Sequence, residues 1–328
     1  MAINLKGKSF LSVMDFKPEE IRYLLDLSHD LKAKKRSGVI GQALAGKNIV
    51  LLFEKTSTRT RCSFEVAALD EGAHVTFLDS KSSQMGKKES LADTAKVLGR
   101  LYDGIEYRGY DPQVPIDLAK YSGVPVWNGL TDVDHPTQAL ADVMTIEEYA
   151  AKPLNQVKLV FCGDTRNNVA YCLMYIAAKL GMHYVGLGPA ELAPAPEVLA
   201  ACAEAARESG ATIEYGADLS LAEGADVLYT DIWASMGEEE KIPERVRLLT
   251  PYRVDGGLLA KTNNPDCIFL HCLPSFHDFE TEMAKTQLEK GYDIREVTDE
   301  VFLSRHGKQF DQAENRLHTI KAVMVATL

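Results

Sequence analysis

Apolar residues in this chain fall into short runs separated by longer amphipathic stretches. Residues 17–36 carry Ile21, Leu24, Leu25 and Leu27 on or near one helical face, with acids early and bases late as the helix dipole prefers. The run Asn48 to Lys55 (NIVLLFEK) predicts a strand, followed by a helix over about 58–71, a strand over 74–79 and a helix over about 90–102. A strand over 104–108, a helix near 112–122, a strand over 124–128 and a long helix from Pro136 to Ala150 follow. Pro136 suits a first helical turn, where a missing N–H costs nothing. Lys152-Pro153-Leu154-Asn155 then breaks the pattern.

A second alternation begins with a strand from Val157 to Cys162 and a helix from Val169 to Leu180, stopped by Gly181. Strands over 183–188, 212–215, 226–232 and 268–272 are expected, with a helix over 195–209 and a short one near 219–223. Gln312 to Thr327 reads as a terminal helix. Strands separated by helices of this length indicate βαβ units. The expected class is α/β, with two domains, each a parallel sheet flanked by helices, joined by long helices. The boundary falls near 150: domain one is 1–150, domain two is 151–312, and a terminal helix over about 313–328 packs back on the first. Open parallel sheets bind ligands beyond their strand ends, so two such domains can each hold one ligand, with the reaction in the cleft between them.

The most informative stretch is Ser57-Thr58-Arg59-Thr60-Arg61, at the first strand-to-helix junction. Ser before a helix is ordinarily an N-cap. Two arginines in a first helical turn oppose the dipole, and an anion that offsets the repulsion accounts for them. Hydroxyls, helical N–H groups and guanidinium forks all suit phosphate oxygens. The formal net charge of −11 argues against nucleic acid or anionic membrane as a partner, which makes this local gathering of cations more pointed.

Other clusters also fall just after predicted strands. Arg108 ends one strand, and His135-Pro136-Thr137-Gln138 opens a helix, with Gln138 one turn beyond His135. Thr60, Arg108 and His135 can together polarise one carbonyl oxygen. Gly163-Asp164-Thr165-Arg166-Asn167-Asn168 lacks the second and third glycines of a dinucleotide-binding turn, which counts against a dehydrogenase. Its asparagines suit a carboxylate. Asp231, before Trp233-Ala234-Ser235-Met236-Gly237, suits an ammonium or is a turn aspartate. In His271-Cys272-Leu273-Pro274, Cys272 is either an activated thiol or an inert one, and Pro274 is a candidate for a cis bond. The polar loop Ser80 to Glu89 is either a solvated connector or reaches an anion.

No apolar run is long enough to span a bilayer, and no signal-peptide pattern is evident. The six cysteines form no C-x-x-C pair and the eight histidines show no zinc-like spacing. A cytoplasmic protein without structural metal is expected.

In their order along the chain, STRTR, HPTQ, DIWASMG, HCLP and Phe310-Asp311-Gln312-Ala313-Glu314-Asn315-Arg316 resemble the ornithine branch of the aspartate/ornithine carbamoyltransferase family. The resemblance covers nearly the whole chain. It implies transfer of a carbamoyl group from carbamoyl phosphate to the δ-amine of L-ornithine, or the reverse, without cofactor or metal. Ser57, Thr58, Arg59 and Thr60 would hold the phosphate, and Arg108, His135 and Gln138 the carbamoyl group. Gln84 would cross from a neighbouring subunit, implying a homotrimer, alone or within a higher assembly of trimers. Asn168, with its neighbour Asn167 as the alternative, would bind the α-carboxylate of ornithine, and Asp231 its ammonium with Ser235 and Met236. Cys272 and Leu273 would lie beside the δ-nitrogen, and Arg316 would reach the ornithine side from the last helix. Arg59, Arg108, His135, Asp231 and Cys272 would be the catalytic set. Another amine such as putrescine, or a non-catalytic metabolite-binding relative, are the alternatives.

Overall fold

The computed structural model describes residues 3–79, 88–234 and 237–328. The chain forms two compact units, Met1–Met144 with Glu314–Leu328, and Thr145–Ala313. It crosses from one to the other within the helix Pro136–Tyr149 and returns within the helix Gln309–Thr327.

The first unit comprises α1 (Pro18–Arg36), β1 (Asn48–Phe53), α2 (Thr58–Asp70), β2 (His74–Asp79) and α3 (Leu91–Leu101). β3 (Gly104–Arg108), α4 (Gln113–Ser122), β4 (Val126–Leu130) and the start of α5 (Pro136–Tyr149) follow. Its four strands are parallel in the order β2-β1-β3-β4. Side chains alternate across a strand, so Ile105 and Tyr107 share one face while Glu106 and Arg108 share the other. Ile105 and Tyr107 pack with Val50, Leu52, Ala95, Leu98 and Leu118 in one apolar cluster. On the opposite face Trp127 meets Phe64 of α2, with ring centroids 6.2 Å apart, and its indole N–H donates to Thr327 Oγ1 at 3.0 Å. A fully buried aromatic of this kind contributes about 1.5–3 kcal/mol by leaving water. The buried Lys321 ammonium, paired with Asp70 at 2.7 Å, also ties the end of the last helix to this unit.

The first-half elements lie within two residues of the sequence expectation. β4, expected over 124–128 and found at Val126–Leu130, is the one displaced at both ends. Val124 gives its N–H to Ser122 Oγ and Pro125 has none to give, so regular pairing starts only at Val126. The strand then runs further, through a register shift between Tyr107 and Arg108 that leaves Gly129 as the extra residue.

The second unit holds β5 (Lys158–Cys162), α6 (Asn168–Leu180), β6 (His183–Leu187), α7 (Pro196–Ser209), β7 (Thr212–Gly216) and β8 (Val227–Thr230). α8 (Ile242–Leu249), α9 (Gly256–Lys261), β9 (Ile268–His271), α10 (Glu282–Glu289), α11 (Asp299–Phe302) and α12 (Gln309–Thr327) complete the chain. Its strands are parallel in the order β7-β6-β5-β8-β9. The two-domain parallel architecture expected from the sequence is therefore present. The helices α8 to α11 were not anticipated: they have eight residues or fewer, too short for helical periodicity to emerge.

Strand order locates the crevices. In the first sheet the chain winds outward from β1 to β2 and in the other direction through β3 and β4, so the switch lies between β1 and β3. In the second sheet it lies between β5 and β8. Ligands gather outside the carboxyl ends of strands at such points.

Candidate active site

In the first unit, the turn after β1 delivers Ser57 as N-cap of α2, its hydroxyl accepting the Thr60 N–H at 3.2 Å. The ordinary duty of a serine in this position is thus fulfilled, and Thr60 is turned inward and buried. Thr60 Oγ1 accepts from Arg316 Nη2 at 2.9 Å and from Arg108 Nη1 at 3.2 Å. A hydroxyl oxygen has two lone pairs, and both face guanidinium groups. The O–H proton, polarised by two cations, is what Thr60 has left to offer a ligand oxygen.

Arg316 ties the cluster together. Its Nη1 donates to Gln138 Oε1 at 2.8 Å, its Nη2 reaches Thr137 Oγ1 at 3.4 Å, and His135 Nε2 lies 3.4 Å from Nη1. Gln138 is held from the other end by its amide donating to Asp142 Oδ1 at 2.7 Å. Arg108 is fixed by a second bond, to the carbonyl of the bulge residue Gly129 at 3.3 Å. His135 is buried, and that burial, reinforced by Arg316, Arg108, Lys55 and Arg59, pushes its pKa well below the usual histidine range. The ring is neutral at working pH, with one N–H to donate and one nitrogen to accept.

Thr58 is exposed and Arg59 half-buried on the same turn. Arg61 departs from the anion reading of the motif: its guanidinium stacks 3.8 Å over the Phe77 ring and pairs with Glu65 at 2.9 Å. A carboxylate one turn along offsets that charge, so Arg61 does not itself require an anion.

Asp134, just before His135, is a buried carboxyl whose pKa burial raises to about 7 from an ordinary 3.8, with bonds from Ser12 and the His135 backbone pulling it down and Asp15 adding to the rise. Folding therefore favours the protonated acid. The stability that protonation supplies is present at low pH and is lost as pH rises from the unfolded value through about 7. Asp134→Asn is expected to match wild type in denaturant unfolding near pH 4 and to exceed it at about pH 8, by an amount on the order of 4 kcal/mol. A gap that does not change with pH would contradict the buried-acid assignment.

In the second unit, Asp231 follows β8 and its carboxylate is held from three sides. Oδ2 accepts from Asn167 Nδ2 at 2.7 Å, and Oδ1 from the Ile232 N–H at 2.8 Å and the Cys272 thiol at 3.2 Å. Asn167 is also the N-cap of α6, its Oδ1 accepting from Val169 and Ala170 N–H groups. With both ends engaged, Asn167 fixes Asp231, and Asn168 opens the first turn of the helix. Cys272 is half-buried and its thiol donates to Asp231 Oδ1. The turn that carries it has Leu273 at φ 57° and a cis Leu273–Pro274 bond. His271 Nδ1 accepts the Leu273 N–H at 2.9 Å, so Nε2 carries the proton given to Glu296 Oε1 at 3.0 Å. Glu296 Oε1 also accepts from the Ser275 hydroxyl and the Phe276 N–H, both at 2.7 Å. Asp231, His271 and Cys272 bring potential ligand atoms within 4.8 Å of one another, but the His271 nitrogens are both committed to these bonds.

The structure thus brings together Ser57, Thr60, Arg108, His135, Gln138 and Arg316 in one unit, and Asn168, Asp231, Cys272 and Leu273 around neighbouring turns of the other. Arg316, which the resemblance grouped with the ornithine residues, bonds Thr60 and Gln138 through its guanidinium. Gln84, Ser235 and Met236 lie outside the described residues. Thr137, Glu296 and the buried Glu106 were given no role in the sequence reading, and Asn167, weighed there as a carboxylate donor beside Asn168, is found holding Asp231. Thr137 and Asn167 stood inside motifs already singled out; Glu296 lies in an irregular stretch that gives no periodic signal.

Comparison with known proteins agrees with this geometry. Residues 8–148 match the family described as aspartate/ornithine carbamoyltransferase, carbamoyl-P binding domain, and residues 155–327 match its Asp/Orn binding domain. The chain is 64% identical to a Clostridium perfringens protein named ornithine carbamoyltransferase, catabolic, across 100% of this chain and 99% of the relative. A Streptococcus agalactiae protein named ornithine carbamoyltransferase 1, catabolic, is 55% identical over 99% of each. The structure of ornithine carbamoyltransferase from Pyrococcus furiosus superposes with a TM-score of 0.91 at 40% identity, covering 99% of this chain and 98% of that one.

Proposed function

The chain belongs to the aspartate/ornithine carbamoyltransferase family, and we propose that it moves a carbamoyl group between phosphate and the δ-amine of L-ornithine, with citrulline as the carbamoylated product. The observation that carries the reading is the buried Thr60 hydroxyl under two guanidiniums, set on the amino end of α2. Ser57, Thr58, Arg59 and Thr60 hold the phosphate. Arg108, His135 and Gln138 hold the carbamoyl group, with Arg316 bracing Thr60 and Gln138. These residues belong to the carbamoyl phosphate domain, 1–150 with the terminal helix from about 313, and 151–312 binds ornithine. Asn168 takes the α-carboxylate, Asp231 the α-ammonium with Ser235 and Met236, and Cys272 and Leu273 flank the δ-nitrogen.

The amine has a reference pKa near 10.4, so about one molecule in a thousand is neutral at pH 7.5, a deficit of roughly 4 kcal/mol on the barrier. The neutral nitrogen attacks the carbonyl carbon, and the oxygen gains charge opposite Thr60, Arg108 and His135. The C–O bond to phosphate then breaks. The departing phosphate accepts the proton released by nitrogen, so positioning and charge stabilisation, without a dedicated base, are the protein's tasks. The word catabolic in the names of the two relatives described above supports operation from citrulline and phosphate in the cell. A homotrimer in the cytoplasm, with Gln84 supplied by a neighbouring subunit, completes the proposal; no helix among the described residues is long and apolar enough to cross a membrane.

A colorimetric citrulline assay tests the activity. Carbamoyl phosphate with ornithine is expected to give citrulline, and putrescine, which lacks both groups that Asn168 and Asp231 would bind, to react with a kcat/KM lower by about a hundredfold or more. Comparable rates with both amines would contradict the assignment of the amino-acid site.

A further inference from the structure

We propose that Glu106 is a positioning residue that couples anion binding at the Thr60–Arg108–Arg316 cluster to proton uptake. This rests on the proposed function, and it adds a group to which no role in that function has been given.

Glu106 lies two residues before Arg108, on the same face of β3. It is completely buried, and neither carboxyl oxygen has a hydrogen-bond partner among the described residues. Its position is tightly set. A side chain at Gly129 would run into Glu106 Oε1, and it would also stand 3.2 Å from Thr60 Cγ2. The carboxyl group therefore lies against the bare Cα of the bulge residue, directly behind Thr60. The charged groups facing it are Arg108 on its own strand and Arg316 on α12. Across the sheet it is flanked by Leu51 on β1 and Trp127 on β4, and α2 presents the uncharged Thr60. His135, itself neutral, meets the cluster through Arg316.

Two opposing effects act on this carboxyl group. Burial without a donor favours the neutral acid, and two guanidiniums favour the carboxylate. Burial prevails and holds the group well above the usual carboxylate range, with Arg108 and Arg316 pulling the other way. When a dianion settles on the same guanidiniums, their field at Glu106 is compensated. The remaining carboxylate fraction then faces both desolvation and a nearby like charge, and it takes a proton from solvent that it returns when the anion leaves. The proton affinity is higher in the bound state, so anion affinity is greatest at low pH and falls as pH rises from the free-state to the bound-state value. A glutamate that stayed charged would oppose every phosphate that arrived; one that can be neutralised opposes it only above that range.

Sulfate is the appropriate probe, since it is a dianion with no ionisation of its own near neutral pH. Its affinity is read by calorimetry in two buffers of different ionisation enthalpy and by competition against carbamoyl phosphate, for wild type and Glu106→Gln. Wild type is expected to take up more protons per sulfate than the variant, and to bind sulfate more weakly as pH rises from neutral into the alkaline range. The variant, a neutral isostere, is expected to bind about tenfold tighter than wild type at alkaline pH. Equal proton counts in the two proteins, or a wild-type affinity that is flat in pH, would overturn the coupling. The second result needs no variant, so it decides the matter even if Glu106→Gln fails to fold. Sulfate that binds without competing with carbamoyl phosphate would overturn the site assignment itself, a distinguishable failure.

Discussion

Replacing Arg316 with methionine is expected to lower kcat/KM for carbamoyl phosphate by about three orders of magnitude, through a higher KM and a lower kcat together. Methionine keeps most of the stem's bulk and removes the fork. The fork donates to Thr60 Oγ1 at 2.9 Å and to Gln138 Oε1 at 2.8 Å, two residues that would touch the carbamoyl group, and it contributes one of the two cations polarising the Thr60 hydroxyl. Loss of one preorganised donor typically removes about 10²–10³ in rate, and here several are disturbed at once. Part of the cost appears as stability, because a buried Gln138 oxygen left without its donor costs about 1–3 kcal/mol. Arg316→Lys separates the effects: it keeps a charge but cannot bridge two acceptors in a plane, so it should restore little of the activity. Steady-state kinetics with a thermal melt checks this. A folded Arg316→Met enzyme within about threefold of wild type would reduce the residue to scaffold.

Asp231→Ala should act on the other substrate. The expected result is a KM for ornithine raised by about 10²–10³, with KM for carbamoyl phosphate changed by no more than a few-fold. The carboxylate is immobilised by Asn167, the Ile232 N–H and the Cys272 thiol, so an ammonium meets a preorganised charge and no side chain must be ordered on binding. Truncation removes the ion pair and releases Asn167 and Cys272 as well. Parallel rises in both Michaelis constants would contradict the division of labour between the two units.

What the sequence disclosed follows from how each feature is encoded. NIVLLFEK and the runs after it announce parallel strands because buried strands are nearly continuous apolar stretches, and the two switch points follow from their order. The STRTR turn suggests an anion site from the sequence, yet only the fold shows what surrounds Arg61: the Phe77 ring and Glu65 that engage it lie on another strand and one helical turn away. Thr60 looked like one hydroxyl among three until Arg108 and Arg316, 48 and 256 residues distant, were seen to converge on it. Glu106, within the strand Gly104–Arg108, reads as an ordinary alternating polar position, because alternation does not reveal whether a polar face meets water or other polar groups. The helices α8 to α11 fell below the length at which periodicity can be recognised.

The claim on which the rest depends is that the phosphate of carbamoyl phosphate rests on the amino end of α2. A crystal structure with a non-hydrolysable phosphonate analogue of carbamoyl phosphate tests it most directly. The account predicts the phosphonate oxygens within about 3 Å of the backbone N–H groups at Thr58, Arg59 and Thr60 and of the Arg59 guanidinium, with the carbonyl oxygen at the Thr60 hydroxyl. An analogue bound with full occupancy elsewhere, and no anion at that turn, would contradict it.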